Sequence, residues 1–241
     1  MSLAGKTILI TGAARRIGRS MALAVAQAGG DVIIHHGHSP EQAEEVKEQA
    51  EAFSVRSHII QADLGKAAEI EHLISEALEF GPLFGLINNA SIFDPLNWKQ
   101  TTLDDWDRHM RVNLSAPFLL SQRFAEAINP EAQGRIINIL DWRALRPGAD
   151  HLPYTISKAG LAALTRSLAI ALAPNITVNG LAFGAILPPS DGGLTQDLLE
   201  FVPAKRWADL KEVDQALLFL LTGPSYINGE IIHLDGGRHL V

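Results

Sequence analysis

Short apolar runs alternate with longer stretches of helical periodicity from one end of the chain to the other. Lys6–Thr11 (KTILIT) is rich in β-branched residues and stops at Gly12, which predicts a first strand. Residues Arg15 to Gly29 repeat apolar positions at Ile17, Met21, Val25 and Ala28, with Leu23 between them, and read as a helix. The same alternation predicts strands at Asp31–His35, Val55–Gln61, Leu83–Asn88, Gly134–Leu140, Ile176–Leu181 and Glu230–Leu234. It predicts helices at Glu41–Phe53, Ala67–Phe80, Leu103–Ile128, Pro153–Ala173 and Leu210–Thr222.

Strands that are apolar throughout must be covered on both faces, as in a parallel sheet between two helical layers. No Pro/Gly/Ser-rich linker and no repeat interrupts the series. The expected fold is a single doubly wound Rossmann-type α/β domain over residues 1–241, with a mostly parallel seven-stranded sheet. Ligands of such sheets bind at the carboxyl ends of the strands, so chemistry is sought just after each strand.

Composition narrows the function. Hydrophobic residues are 47% and charged residues 20%, which argues against extended disorder. Cysteine is absent, excluding disulfides, thiolate metal sites and a thiol nucleophile. A net charge of −7 makes a nucleic-acid surface an unfavoured expectation. No charge occurs between Ser167 and Ser190, but Pro174, Asn175, Asn179, Pro188 and Pro189 break that stretch, so no membrane span is expected. Without a signal-like N-terminus, the expected location is the cytoplasm. No metal site is expected.

Three positions carry the candidate chemistry. The first is the turn Thr11-Gly12-Ala13-Ala14-Arg15-Arg16-Ile17-Gly18, between a strand and a helix. Its small residues let the backbone approach a pyrophosphate, and the helix N-terminus favours the negative charge. The second is the end of the next strand, His35-His36-Gly37-His38-Ser39, which has no carboxylate for the ribose hydroxyls of a dinucleotide. Three readings of these histidines are open: donors to a 2′-phosphate together with Arg16, exposed loop residues, or metal ligands. The cation favours the first, and hence NADPH. The third position is the helix start carrying Tyr154 and Lys158, four residues apart and therefore on one face. An ammonium near a phenol lowers its pKa and makes it a better proton donor. Asn113 lies inside a predicted helix, where asparagine competes for backbone hydrogen bonds. It marks either simple exposure or a helix distortion beside the site.

Together Thr11-Gly12…Gly18, Asp63-Leu64, Asn88-Asn89-Ala90, Asn113, Tyr154…Lys158 and Asp235-Gly236-Gly237 resemble the short-chain dehydrogenase/reductase family over essentially the whole chain. The resemblance implies that Tyr154 is the general acid, that Lys158 binds the nicotinamide ribose and tunes Tyr154, and that Asn113 supports a proton-relay water. It implies a cofactor site of Gly12, Arg16, Ile17, Gly18, His38, Ser39, Asp63, Asn89, Ala90, Tyr154, Lys158 and Ile186. Asp63 would contact adenine, although it also suits a helix N-cap.

The chain departs from the family pattern at three places. Arg16 replaces the middle glycine of the first turn, Phe183 replaces a proline, and Asp141 stands where a catalytic serine is usual, thirteen residues before Tyr154. An ionised aspartate cannot donate to a carbonyl oxygen and opposes an oxyanion. Protonating a C=N nitrogen builds positive charge, which a carboxylate stabilises. Arg16, Asp141 and Asn88-Asn89-Ala90-Ser91-Ile92-Phe93 are similar to pteridine reductases, and the ending Gly236-Gly237-Arg238-His239-Leu240 to dihydromonapterin reductase. That branch implies NADPH-dependent reduction of a C=N bond in a dihydropterin. Ser91, Phe93, Asp141, Trp142, Tyr154 and Phe183 would form the substrate site, Phe93 stacking on the ring, with the loop from Pro188 to Leu199 as a further wall. It also implies a homotetramer in which Arg238 approaches a neighbouring active site. The alternatives are a carbonyl or alcohol oxidoreductase of the same family and a non-catalytic NADP-binding regulatory protein.

Overall fold

Seven strands line up in the order β3-β2-β1-β4-β5-β6-β7. They are β1 (Thr7–Ile10), β2 (Asp31–His36), β3 (Ser57–Gln61), β4 (Leu83–Asn88), β5 (Gly134–Asp141), β6 (Ile176–Phe183) and β7 (Ile231–Leu234). The computed structural model describes residues 2–129, 131–188 and 199–241. Every pairing in the sheet is parallel, as the expected doubly wound seven-stranded sheet requires. The cause is the connectivity: a covering segment separates each pair of consecutive strands, and none is joined by a hairpin.

Residue alternation along the strands sends side chains to two separate cores. Ile8, Ile10 and Ile34 pack with Met21 and Val25 of α1 (Arg16–Gln27), Val46 of α2 (Pro40–Glu51), and Val213 and Leu217 of α7 (Leu210–Thr222). On the opposite face, Leu9, Ile33, Leu86 and Ile136 pack with Leu73 of α3 (Ala67–Phe80), Leu120 and Phe124 of α5 (Ala116–Ala127), and Ala169 of α6 (Leu152–Ala171). A fully buried leucine or isoleucine contributes roughly 1.5–3 kcal/mol, so these two layers supply the main stabilisation. The strand order reverses between β1 and β4, and the loops after both strands open at that switch point.

The single helix expected from Leu103 to Ile128 is instead three segments. The first, α4 (Leu103–Met110), starts on a capping box formed by Thr102 and Asp105. One wide π-helical turn, Arg111–Ser115, then leads into α5. Polar residues hold the middle of the molecule in register. Asn88 Nδ2 donates to Asn138 Oδ1 at 2.8 Å, and Asn138 Nδ2 donates to Thr165 Oγ1 at 2.9 Å. This buried chain ties β4 and β5 to α6, the helix that carries Tyr154. Among the described residues, no helix is long and apolar enough to cross a membrane, and no group of side chains suits a metal ion.

Candidate active site

The turn after β1 is built for close approach of a phosphate. Gly12 has φ +64°, in the left-handed region that glycine adopts without strain. A Cβ on Gly18 would lie 2.0 Å from Gly12 O, so no side chain fits where α1 passes over the turn. Arg16 keeps a left-handed backbone, φ 53°, although it is not glycine. The first turn of α1 carries no acidic residue and Arg15 makes no side-chain cap, leaving backbone N–H groups available to an anion. These features fit the diphosphate of a dinucleotide. Ile17 packs against the α1-side core and holds the start of the helix down.

Thr11 and Asn89 staple this turn to the end of β4. The Thr11 hydroxyl accepts from the backbone N–H groups of Asn89 at 2.9 Å and Ala90 at 3.0 Å. Asn89 Nδ2 donates to Thr11 O at 2.8 Å and to Gly12 O at 3.2 Å. Asn89 and Ala90 thus shape the cofactor side of the site through the backbone. Ile186 is buried just beyond the end of β6.

The histidines after β2 separate into three environments. His35 Nδ1 accepts from Gly12 N at 3.1 Å, and Nε2 faces Ala62 O at 3.0 Å. Only the neutral ring protonated at Nε2 satisfies both contacts. Burial lowers its pKa from 6.5 to about 4, the Ala62 carbonyl opposing and the charge of His36 assisting. His36 is also buried, and its Nδ1 accepts from Ser39 N at 3.3 Å. The reading of this cluster as 2′-phosphate donors is therefore corrected for His35, both of whose ring nitrogens are engaged inside the protein. His38 is exposed and Ser39 is buried beside it. Arg16 Nη2 donates to Pro188 O at 2.7 Å, connecting the phosphate turn to the segment after β6.

Asp63 is not a helix cap. Its Oδ1 accepts from Gly65 N at 2.9 Å in a local turn, and α3 begins later, with Lys66 at its N-cap position. The backbone N–H of Asp63 is held by Glu69.

The candidate catalytic groups converge at the carboxyl ends of β5 and β6 and the start of α6. Tyr154 OH donates to Asp141 Oδ2 at 3.2 Å. Asp141 Oδ1 accepts from Arg143 N at 2.8 Å, which fixes the carboxylate at the head of a short 3₁₀ turn. Lys158 is buried, and its Nζ donates to Ile139 O at 2.7 Å. Burial lowers Lys158 to about 8, against the raising influence of Asp141. Burial raises the Tyr154 phenol well above its ordinary value, and the charge and hydrogen bond of Asp141 push the same way. The expected lowering of Tyr154 by Lys158 is thus overridden here, because the lysine is anchored to a carbonyl while the carboxylate sits on the phenol. Burial also raises Asp141, opposed chiefly by the Arg143 N–H and charge.

Asn113 occupies the π-helical turn and is buried. Its Oδ1 accepts from Ile92 N at 2.9 Å, and its Nδ2 donates to Ile92 O at 3.0 Å and to Ser157 Oγ at 3.0 Å. Ser157 Oγ in turn donates to Tyr154 O at 2.7 Å. The helix distortion thereby sets the loop after β4 against the helix carrying Tyr154. Ser91 and Phe93 lie on that loop, both exposed, Phe93 to 50%.

Phe93 meets the edge of Tyr154 with ring centroids 4.6 Å apart and stacks on His151 at 4.1 Å. His151 was not among the sequence-predicted site residues, and only its place next to Tyr154 could have suggested it. Trp142 flanks Asp141 and lies under the guanidinium of Arg238 of its own chain, 4.8 Å from ring centroid to guanidinium carbon. Phe183, expected as a substrate wall, is instead buried in the α1-side core, because it faces that layer from the last position of β6. Of the Pro188–Leu199 wall, residues 189–198 lie outside the described residues.

Comparisons with known proteins agree with this geometry. The profile of the enoyl-(acyl carrier protein) reductase family matches residues 12–239. A 3-oxoacyl-[acyl-carrier-protein] reductase, FabG, of Staphylococcus epidermidis is 33% identical over 242 residues, covering 98% of this chain and 99% of that protein. Among solved structures, FolM alternative dihydrofolate reductase 1 from Brucella canis, complexed with NADP, superposes with a TM-score of 0.92 at 33% identity, covering 100% of this chain and 97% of the other. A short chain dehydrogenase from Burkholderia cenocepacia in complex with NADP gives a TM-score of 0.93 at 33% identity, covering 99% of each chain. The turn after β1, the Tyr154–Lys158 pair on α6 and this end-to-end similarity place the chain in the short-chain dehydrogenase/reductase family of NADP-dependent oxidoreductases.

Proposed function

We propose that this protein is an NADPH-dependent reductase of a C=N bond in a dihydropterin. The carrying observation is the Asp141 carboxylate hydrogen-bonded to Tyr154 at 3.2 Å. A ketone-reducing site needs a donor at this place, to stabilise the oxygen that becomes negative. A carboxylate supplies an acceptor and a negative charge, which suit a nitrogen that gains a proton.

NADP(H) fits the turn of Gly12 to Gly18, with Arg16, His38 and Ser39 at the edge facing the ribose end. When bound, NADPH supplies the hydride for the C=N carbon. Tyr154 holds the proton at its phenol oxygen, and burial together with Asp141 keeps it there at neutral pH. Asp141 accepts from Tyr154 and carries the charge that favours a protonated nitrogen. Lys158, fixed by Ile139 O, provides a buried positive group one helical turn from the phenol. Asn113 positions Tyr154 and the Phe93 loop through Ser157 and Ile92. The half-exposed Phe93 offers an aromatic face next to Tyr154 for a flat heterocycle. The Brucella FolM structure supports a folate-type substrate by similarity.

A second reading is reduction of a 3-oxoacyl thioester, favoured by the identity to the FabG of Staphylococcus epidermidis. One assay separates the two. Purified protein with NADPH or NADH is offered dihydrobiopterin, dihydromonapterin, dihydrofolate, a 3-oxoacyl thioester and a set of ketones. Pterin turnover with NADPH is the expected result. Robust ketone or thioester reduction without pterin turnover overturns the reading, and NADPH binding with no turnover of any substrate points to a regulatory protein. The reading includes a cytoplasmic homotetramer, with mass by light scattering as the check on the assembly.

A further inference from the structure

We propose that His151 is a positioning residue for the substrate ring: its imidazole backs Phe93, and the two rings form one platform that takes a flat heteroaromatic substrate beside Tyr154. This rests on the pterin reading above and deepens it, by naming a residue that separates flat-ring substrates from acyl ones.

The segment that carries Phe93 is fixed on alternate residues. Asn113 holds both the N–H and the C=O of Ile92. Arg108 pairs with Asp94. Leu152 N donates to Leu96 O at 2.8 Å. Ile92, Asp94 and Leu96 are accordingly half-buried, while Ser91, Phe93 and Pro95 between them are exposed. Phe93 is thus bracketed by anchors on both sides, and the freedom left to it is rotation about its own side-chain bonds.

His151 restrains that rotation. The two rings stack with centroids 4.1 Å apart and planes 9° from parallel. The imidazole is itself held, because its Nδ1 donates to Asp150 Oδ2 at 3.0 Å, an oxygen that also accepts from Arg143 Nη2 at 2.9 Å. Tyr154 meets Phe93 at 78° with centroids 4.6 Å apart, so the stacked pair is fixed relative to the phenol. His151 is nearer to the Phe93 ring than the Arg143 guanidinium, whose carbon is 5.9 Å from the centroid.

The backbone at His151 does not call for an imidazole. Its φ of 50° and ψ of 46° are left-handed, a conformation that glycine and asparagine adopt at less cost. It stands at the N-cap of α6, where asparagine is also favoured, yet its side chain makes no cap bond. Its carbonyl accepts from Thr155 N at 2.9 Å, a bond independent of the side chain. Asparagine serves the helix start at least as well, and what the imidazole adds is the stack on Phe93 and the bond to Asp150.

Two measurements test the platform. The first takes kcat and KM, with NADPH, for dihydrobiopterin and for a 3-oxoacyl thioester, which has no ring to stack, in the wild type, His151→Asn and His151→Phe. His151→Asn is expected to raise KM for the dihydropterin about fivefold, the scale of one lost aromatic contact, with a smaller change in kcat and in KM for the thioester. His151→Phe keeps a stacking ring and is expected to bring KM back to within about twofold of the wild type. The thermal midpoint of His151→Asn is expected to stay within about 3 °C of the wild type. The second measurement titrates folic acid, which carries the flat pterin ring, into the protein–NADP⁺ complex by calorimetry. Binding that His151→Asn weakens and His151→Phe restores supports the platform even where no pterin is turned over, a result that overturns the pterin reading alone. Dihydropterin turnover with equal KM in wild type and His151→Asn overturns the platform and leaves the pterin reading standing. The platform is also overturned by absence of folic acid binding, by His151→Phe binding as weakly as His151→Asn, or by a His151→Asn variant that loses stability and thioester turnover along with pterin binding, which marks a purely structural role.

Discussion

His35 couples the phosphate turn to the protonation state of a buried ring, and this makes a prediction with a defined pH window. The ring accepts from Gly12 N and bridges to Ala62 O, and burial holds its pKa at about 4 against 6.5 for the free side chain. The unfolded chain therefore binds a proton on His35 between these values when the folded chain does not, so unfolding takes up protons there and stability rises with pH. The contribution is fully present above about pH 6.5 and is lost as pH falls through about 4. Its full size is roughly 3 kcal/mol. His35→Gln keeps an acceptor for Gly12 and a donor for Ala62 but does not titrate. Urea unfolding followed between pH 4.5 and 7.5 is expected to show a wild-type slope that His35→Gln largely removes. His36 and His233, which burial also lowers, add to the slope, and Asp141 and Asp214, which burial raises, oppose it. His35→Leu leaves the Gly12 N–H and Ala62 C=O without their partner, at about 1–3 kcal/mol for each buried group. Because Gly12 lies in the turn proposed to cradle the cofactor phosphates, that variant is also expected to bind NADPH about tenfold more weakly. A wild-type pH slope in His35→Gln, or unchanged NADPH affinity in His35→Leu, would refute the coupling.

Gly18→Ala places a methyl group 2.0 Å from Gly12 O, so the turn must move. Fluorescence titration should find NADPH binding reduced by at least about tenfold, a cost of about 1.4 kcal/mol or more, and wild-type affinity would show that the turn is not the cofactor cradle. Asp141→Asn removes the charge that raises both Tyr154 and Lys158. Both then titrate lower, and since reduction uses the protonated phenol, the alkaline limb of the kcat–pH profile is expected to move to lower pH. A limb that stays in place means that Asp141 does not govern the proton on Tyr154.

The features legible in the sequence are those whose physical cause is local. Burial on both faces gives the strands their apolar runs, so all seven strands and their order along the chain were readable. Tyr154 and Lys158 share a helix face through a spacing of four, and Asp141 departs from the family pattern in a single position. The break in the helix between Met110 and Ala116 left almost no trace, because apolar positions continue through one wide turn. Asn113 alone signalled it. The alternative of Asp63 as a helix N-cap fails because its side chain closes a turn two residues on, and only the later start of α3 separates the two. His35 as a phosphate donor fails for a different reason. Its polarity points outward on any sequence scale, yet it is satisfied by Gly12, 23 residues before it, and by Ala62, 27 residues after it. A buried imidazole costs little when both nitrogens have partners, and parallel strands bring such partners together only across the sheet. The same holds for Arg238 on Trp142, far apart in the chain and joined at the 3₁₀ turn that follows β5. Chemistry carried by one helix face or one turn is therefore written in consecutive residues. The neutral histidine under the first turn acquires its partners only when the strand order is known.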